Sequence, residues 1–146
     1  MHHWNNPAEV MALLQGKWSI SRTISTGGSF KGLAVFAPDN ELLRYREDGC
    51  LQMQNGSPCF QSWRTYVYER RERGFAVYFD ETPLRLFQEV ALSPSDLTGH
   101  AEHHCGQDIY KSVYTFMPDG TFSITHDVKG PRKNYRMHSV FTRSMG

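Results

Sequence analysis

Hydrophobic and polar residues alternate along most of this chain, in ten stretches separated by turn-forming residues such as Gly27, Gly49 and Pro131. Because successive side chains of a β-strand point to opposite faces, sustained alternation predicts strands with one buried face. Even spacing and short connections favour an all-β fold, an antiparallel up-and-down barrel of about eight to ten strands. The predicted strands are residues 17–25, 29–37, 41–47, 61–70, 75–79, 84–91, 97–104, 109–117, 121–129 and 134–143.

One short helix is predicted before the first strand. Asn6 has a side chain suited to a helix N-cap, Pro7 suits the first helical turn, and Glu9 lies three residues after the cap. Gly16 is expected to end the helix. An apolar stripe is formed by Val10, Leu13 and Leu14. We expect this helix to cover one end of the barrel.

Trp18, near the start of the first strand, has an expected partner in Arg143, near the end of the last strand. A guanidinium group stacks well on the face of an indole ring. Such a contact would join the first strand to the last and close that end of the barrel. No repeat, linker or break in composition interrupts the chain, so residues 1–146 are predicted to form a single domain.

The alternation also places polar side chains on strand faces that should point into the barrel. Burying a charge without a partner costs several kcal/mol, so these groups must pair with one another, with water or with a ligand. Two interpretations stay open: a structural network of Arg–Glu and tyrosine hydrogen bonds, and a ligand pocket with converging donors that is reached from the end opposite Trp18. The candidate ligand-binding residues are Arg22, Tyr45, Glu47, Arg64, Tyr66, Tyr68, His103, Tyr110, Lys133 and Tyr135.

The signs of these inward charges favour an anionic or carbonyl-bearing ligand. Arg22, Arg64 and Lys133 are the candidate inward cations, against Glu47 and Asp108 as acids. An ion pair between Arg22 and Glu47 would leave Arg64 or Lys133 to bind a carboxylate. Over the whole chain the net charge is only +1, with acids and bases interspersed, which argues against a nucleic-acid partner.

Residues 100–105 form a dense group of metal-ligating residue types. In an extended strand His103 and Cys105 share one face, while His100, Glu102 and His104 share the other. No second segment supplies further ligands, so we expect no tightly bound metal and no cofactor. Haem held by an inward His103 is kept as an alternative.

The number and spacing of the cysteines indicate the cellular compartment of the protein. Cys50, Cys59 and Cys105 are odd in number and lack CxxC spacing, which predicts reduced thiols in a cytosolic protein. The residues after Met1 lack the basic and apolar regions of a secretion signal, and no apolar run reaches membrane-spanning length. We therefore expect a cytoplasmic protein without a membrane partner. A small molecule is the expected partner, and a homodimer is kept as an alternative to a monomer.

Several motifs together resemble one protein family. They are Phe30-x-Gly32-x-Ala34-x-Phe36, Leu43-x-Tyr45-x-Glu47-x-Gly49, Arg64-x-Tyr66-x-Tyr68, His103-x-Cys105-x-x-Asp108-x-Tyr110 and Gly130-Pro131-x-Lys133-x-Tyr135, with Trp18 and Arg143 at the two ends. The chain resembles, over nearly its whole length, an uncharacterised family of bacterial and fungal single-domain proteins described as a lipocalin-like domain of unknown function. The resemblance implies a lipocalin-like (calycin) barrel and no established activity.

Three functions are compatible with these observations. The first is a cytosolic protein whose polar and aromatic barrel interior binds a small molecule. The second is a cofactor-free enzyme of the cyclase or isomerase type, with Tyr66, Tyr110 or His103 as acid or base in the same pocket. The third is a haem or metal barrel that uses His103. The chain has no nucleophile elbow, P-loop, dinucleotide-binding or zinc-peptidase motif that would name a reaction.

Overall fold

A computed structural model describes residues 4–54, 56–93 and 95–144. Met1, His2 and His3, on which the expectation of no secretion signal partly rests, lie outside the described residues. The elements in chain order are α1 (Pro7–Leu14), β1 (Gly16–Ile24), β2 (Ser29–Asp39), β3 (Leu42–Gln52), β4 (Phe60–Arg71), β5 (Gly74–Phe79), β6 (Arg85–Leu92), β7 (Thr98–Cys105), β8 (Asp108–Phe116), β9 (Phe122–Lys129) and β10 (Asn134–Arg143). No helix among the described residues is long and apolar enough to cross a bilayer.

The ten strands form a closed antiparallel barrel in which each strand pairs with its neighbours in sequence and β1 pairs with β10. This confirms the predicted all-β barrel with one short helix. Burial follows the predicted alternation: in β1, Trp18, Ile20 and Arg22 are buried and the residues between them are exposed. The inner face is therefore fixed by the sequence period of two, as for any strand with one buried face.

The helix closes one end of the barrel. The Asn6 side chain accepts a hydrogen bond from the Glu9 backbone N–H at 2.9 Å, as the cap prediction requires. Trp18 Nε1 donates to the Leu14 carbonyl oxygen at 2.8 Å. The Arg143 guanidinium lies 3.9 Å from the Trp18 ring centroid and donates to the Gln15 carbonyl oxygen at 2.8 Å. The expected Trp18–Arg143 contact is present, and it also satisfies carbonyl groups beyond the helix end.

The connections β1–β2, β3–β4, β5–β6, β7–β8 and β9–β10 lie at the opposite end, which we call the mouth. The predicted turn at Asp48–Gly49 is wrong, because β3 continues through both residues to Gln52. Gly49 pairs with Gly32, and a Cβ atom on Gly49 would lie 2.7 Å from the Phe30 ring. Glycine is needed here for close packing inside a strand and not for a turn.

Cys50 and Cys59 form a disulfide across the β3–β4 connection, with their Cα atoms 5.5 Å apart. The prediction of reduced thiols is wrong for this pair, while Cys105 is free and exposed. The pairing arises because Cys50 is in register with Gln61, which brings Cys59 back towards it across the hairpin. Structural disulfides are rare in reducing compartments, so this pair weighs against the expectation of a cytoplasmic protein.

The barrel wall is least complete between β6 and β7. Over the described residues, these strands pair only at Ala91 with His100 and at Leu92 with Gly99. On the other side of β6 the register shifts, because Val77 of β5 pairs with Gln88 while the next residue of β5 pairs with Leu86. Phe87 is therefore the extra residue of a β-bulge, which changes the direction in which side chains of β6 point.

Candidate functional site

A buried ion pair lies in the middle of the barrel. The two terminal nitrogens of Arg22 donate to the two carboxylate oxygens of Glu47 at 2.8 and 2.9 Å. Arg22 Nε donates to Ser139 Oγ at 2.7 Å, and the Tyr45 hydroxyl donates to Glu47 Oε1 at 2.6 Å. Glu47 is only 2% exposed. The expected Arg22–Glu47 pair is thus present, with further hydrogen bonds on both partners.

Opposing effects set the protonation of this pair. Burial alone would raise the pKa of Glu47, but hydrogen bonds and charge from Arg22 outweigh it and hold that pKa below its usual value. Burial likewise disfavours charged Arg22, and Glu47 outweighs it, so the pKa of Arg22 is raised. Both groups are therefore charged at neutral pH, and together they contribute no net charge to the interior.

A second hydrogen-bonded chain crosses the interior from β4 to β9. The hydroxyl groups of Tyr68 and Tyr114 are hydrogen-bonded to each other. The Tyr114 hydroxyl donates to Gln88 Oε1 at 2.7 Å, and Gln88 Nε2 donates to Ser112 Oγ at 2.9 Å. Ser112 Oγ lies 2.6 Å from His126 Nδ1. We call these five residues the tyrosine–histidine chain.

The end of this chain is a neutral imidazole. Burial lowers the pKa of His126 to about 4, and the positive charges of Arg22 and Arg64 act in the same direction. Burial also raises the pKa of the Tyr68 and Tyr114 hydroxyls. All titratable members of the tyrosine–histidine chain are therefore uncharged near pH 7.

A cavity of about 30 Å³ lies between the ion pair and the tyrosine–histidine chain. A volume of this size holds about one water molecule, so the interior is otherwise filled by side chains. Arg64, Tyr66 and Phe87 contribute to its wall on the side of the mouth. The other lining residues are Arg22, Tyr45, Glu47, Tyr68, Val77, Tyr114, Ile124, His126, Ser139 and Phe141.

Arg64 is a second cation that lines this cavity, and its side chain is exposed to solvent. It pairs with Glu47 across β3 and β4, so both side chains share the inner face. Among the described residues, no hydrogen bond or ion pair to its guanidinium is found, and its charge helps to lower the pKa of both Glu47 and His126. The cavity wall therefore carries a net positive charge.

Phe87 lines the cavity and contacts aromatic rings on the side of the mouth. Its ring centroid lies 5.9 Å from that of Tyr66, in a stacked arrangement, and 4.9 Å from that of Phe79. It also lies 5.3 Å from the ring centroid of His103 and 6.3 Å from that of His126. A single side chain, placed by a β-bulge beside the incomplete β6–β7 pairing, thus contacts rings of both the mouth and the cavity.

One protein-family model matches most of this chain. The model described as "Family of unknown function (DUF6314)" matches residues 14–143. The chain belongs to the DUF6314 family. The expected membership of a family of unknown function is confirmed, while the lipocalin-like part of the resemblance stays a prediction. No curated protein matches the DUF6314 chain at a significant level.

Two solved structures resemble this DUF6314 barrel weakly. A redesigned β-barrel, mFAP1, bound to DFHBI, has 15% sequence identity and a TM-score of 0.47, with 91% of this chain and 97% of that chain covered. EF1p2_mFAP2b bound to DFHBI has 15% identity and a TM-score of 0.49, with 97% and 100% covered. Both TM-scores lie below 0.5, so we draw no functional conclusion from them; the barrel assignment rests on the strand pairing itself.

The DUF6314 barrel gathers some of the predicted site residues and separates others. Arg22, Tyr45, Glu47, Arg64, Tyr66 and Tyr68 all line the cavity. Tyr110, Tyr135 and His103 do not line it. His103 and Tyr110 belong instead to the ring contacts at the mouth, with their centroids 6.0 Å apart, and Tyr135 is half-buried on β10.

The expectation that Lys133 points inwards is wrong. Because β10 begins at Asn134, Lys133 lies in the preceding turn and is exposed. Its Nζ donates to the Tyr110 hydroxyl at 3.2 Å and lies 3.2 Å from the Asp108 carboxylate. These two partners raise the pKa of Lys133. Lys133 therefore has its own counter-ion at the mouth, and of the two arginines that line the cavity only Arg64 has no ion pair among the described residues.

The histidine cluster is divided between two faces, as the alternation predicts. His104 Nε2 lies 2.9 Å from Glu102 Oε2 on the outer surface, while His103 packs against Phe87. Within the described part of the chain, no three histidine, cysteine or acidic side chains come together as a metal site. The expectation that no metal binds stays a prediction for elemental analysis of the purified protein.

Sequence reasoning missed Gln88, Ser112 and His126. His126 lies on the same face of β9 as the buried Ile124 and Val128, so the alternation that placed other residues inside could have found it. Ser112 likewise shares a face of β8 with the buried Tyr114. The bulge at Phe87 hid Gln88, because it changes the alternation within β6.

Proposed function

We propose that this DUF6314 protein binds a small organic molecule that presents a carboxylate or a carbonyl oxygen to the cavity inside the barrel. The observation that carries the proposal is Arg64, which lines the cavity without a carboxylate partner among the described residues. Glu47, the acid opposite Arg64, is already neutralised by Arg22. An oxygen anion would therefore complete the charge pairing of the interior.

The electrostatics of the cavity favour anions over cations. The Arg22–Glu47 pair contributes no net charge and the imidazole of His126 is neutral, so the charge of Arg64 is left uncompensated. Arg64 is exposed, so solvent screens part of its charge, and its attraction for an anion is strongest where the bound ligand itself excludes water. A ligand amine would be repelled by Arg64 and would find the Glu47 carboxylate already occupied.

Binding requires an interior side chain to move, since about 30 Å³ cannot hold an organic molecule. Phe87 is the side chain that we expect to move, because it lines the cavity, contacts His103 at the mouth and lies next to the incomplete β6–β7 pairing. In this proposal, displacement of the Phe87 ring joins the cavity to the mouth. Phe87→Ala should then strengthen the binding of any ligand that enters the cavity.

The test compares three ligands of similar shape and different charge. Benzoate, benzamide and benzylamine are titrated into the protein by calorimetry, in the wild type and in Arg64→Ala. We expect benzoate to bind best, and Arg64→Ala to weaken it by about 1.5–3 kcal/mol, the range for a charge-assisted hydrogen bond.

Arg44→Ala is the matched control, because Arg44 makes its ion pair with Asp39, at 2.6 Å, on the outer surface. Its removal should leave benzoate binding unchanged. Preference for benzylamine, or full benzoate affinity in Arg64→Ala, would contradict the proposal.

A cofactor-free cyclase or isomerase is the second candidate, and one observation favours it: an uncharged imidazole lies beside the cavity. At neutral pH this group is unprotonated and therefore available as a base, and its pKa of about 4 makes it a weak one. Loss of the α-proton signals of acetophenone in D₂O, followed by NMR with the wild type and with His126→Gln, tests this activity. Haem binding by His103 has weaker support, because that ring packs on Phe87 above a cavity of about 30 Å³.

A further inference from the structure

We infer that His126 is a specificity-determining residue of this site, and that its neutral imidazole donates the Nε2–H to an acceptor oxygen of the ligand beside Arg64. This inference rests on the proposed function and names a second hydrogen-bond donor of the protein to the ligand. It follows from the direction of the hydrogen bonds in the tyrosine–histidine chain.

The direction can be followed from one end of the chain to the other. Gln88 Oε1 can only accept, so the Tyr114 hydroxyl donates to it. Gln88 Nε2 can only donate, so Ser112 Oγ accepts from it. The single hydroxyl proton of Ser112 is then available for His126 Nδ1, which lies 2.6 Å away. A neutral imidazole that accepts at Nδ1 carries its proton on Nε2.

The other ring nitrogen of His126, Nε2, is not fully enclosed. Every fully enclosed side-chain nitrogen or oxygen among the described residues has a hydrogen-bond partner. Within the same residues Nε2 of His126 has none, so it is not fully enclosed. His126 lines the interior cavity, and we therefore infer that its Nε2–H points to that cavity.

The groups around His126 keep the imidazole neutral and the site rich in donors. Arg22 on β1 and Arg64 on β4 oppose its protonation, and Glu47 and Asp127 favour it less strongly. Glu47 is held by Arg22, and Asp127 by Arg136. Arg64 and His126 thus present two donors to one small cavity, which fits the two oxygens of a carboxylate.

The first experiment measures the tautomer directly, without a ligand. Two-bond ¹H–¹⁵N NMR spectra of the labelled wild type at neutral pH identify which ring nitrogen of His126 carries the proton, and His126→Gln assigns the signal. We expect protonation at Nε2. Protonation at Nδ1, which a reversed Gln88 amide would produce, or a charged imidazolium, would overturn the inference.

The second experiment measures benzoate affinity in matched variants. His126→Leu removes the donor and should weaken binding about tenfold, the effect of one neutral hydrogen bond. His126→Gln keeps an N–H donor and should retain most of the affinity. His138→Leu is the control, because His138 has the same kind of contact, Nδ1 to Thr125 Oγ1 at 2.8 Å, on the outer surface.

These variants test the role of His126 separately from the proposed binding of a carboxylate or carbonyl ligand. Unchanged affinity in His126→Leu, with weakened affinity in Arg64→Ala, would overturn the role of His126 and leave the proposed function standing. If benzoate binds neither the wild type nor Phe87→Ala, the proposed function fails and the ligand role of His126 fails with it. The NMR measurement decides the tautomer in either case.

Discussion

Acid should destabilise this barrel through His126 well before its carboxylates are protonated. The pKa of His126 is lowered from 6.5 to about 4 by burial and by two arginines, whereas in the unfolded chain it returns to its ordinary value. Between these two pH values the unfolded chain binds more protons than the folded chain. The free energy of unfolding therefore falls as the pH decreases from about 6.5 towards 4.

The magnitude follows from the two pKa values of His126. Each unit of difference is worth about 1.4 kcal/mol, so the whole shift corresponds to about 3 kcal/mol of stability at neutral pH. Integration of the proton linkage gives a loss of about 2 kcal/mol at pH 5. This is a large fraction of the stability of a small domain, which is about 5–15 kcal/mol.

The measurement is urea unfolding, followed by the fluorescence of the buried Trp4 and Trp18, at about pH 7.5 and pH 5. His126→Gln should lower the pH dependence of unfolding by about 2 kcal/mol between these conditions. His138→Gln, on the outer surface, is the control and should leave it unchanged. Equal pH dependence in the wild type and His126→Gln would refute the assignment of His126 as a half-buried, neutral imidazole.

Three further perturbations test the structure. Arg22→Met should lower the free energy of unfolding by about 3–5 kcal/mol, because it leaves Glu47 charged and buried. Adding Glu47→Leu should recover much of that loss. Additive losses in a double-mutant cycle would refute the pairing. Trp18→Ala should cost about 3–5 kcal/mol as a large-to-small core change, and an unchanged thermal midpoint would contradict its role in closing the barrel. Replacing Cys50 and Cys59 by serine should lower the free energy of unfolding in urea by about 2–3 kcal/mol, and an unchanged value would contradict the disulfide.

The barrel could be predicted from sequence because each strand, and the helix cap, is specified by residues close together in the chain. A strand with one buried face repeats every two residues, and that repeat assigned the inner face of β1, β2 and β3 correctly. The contact between Trp18 and Arg143 followed from the same logic, since an antiparallel meander that closes must pair its first and last strands. The helix was identified by the chemistry of its cap, which involves only neighbouring residues.

The errors arose where the structure depends on contacts between distant residues. Gly49 resembles a turn residue until Gly32 and Phe30 are placed against it. Spacing along the chain did not show the disulfide, because the register of β3 and β4 brings its two cysteines together. The register shift beside Phe87 alters the alternation of β6 and brings Gln88 inside. Local periodicity contains no signal for any of these features.

The two early interpretations of the polar interior, a structural network and a ligand pocket, apply to different atoms. Arg22, Glu47, Tyr45 and Gln88 satisfy one another or their neighbours, so the cost of burying them is met within the protein. Arg64 and Nε2 of His126 have no partner among the described residues, and both side chains line the same cavity. Solvent can hydrate Arg64, which is exposed, but a purely structural network gives no reason for both side chains to line one small space. A ligand oxygen supplies that reason, and this is why the network supports the pocket proposal instead of replacing it.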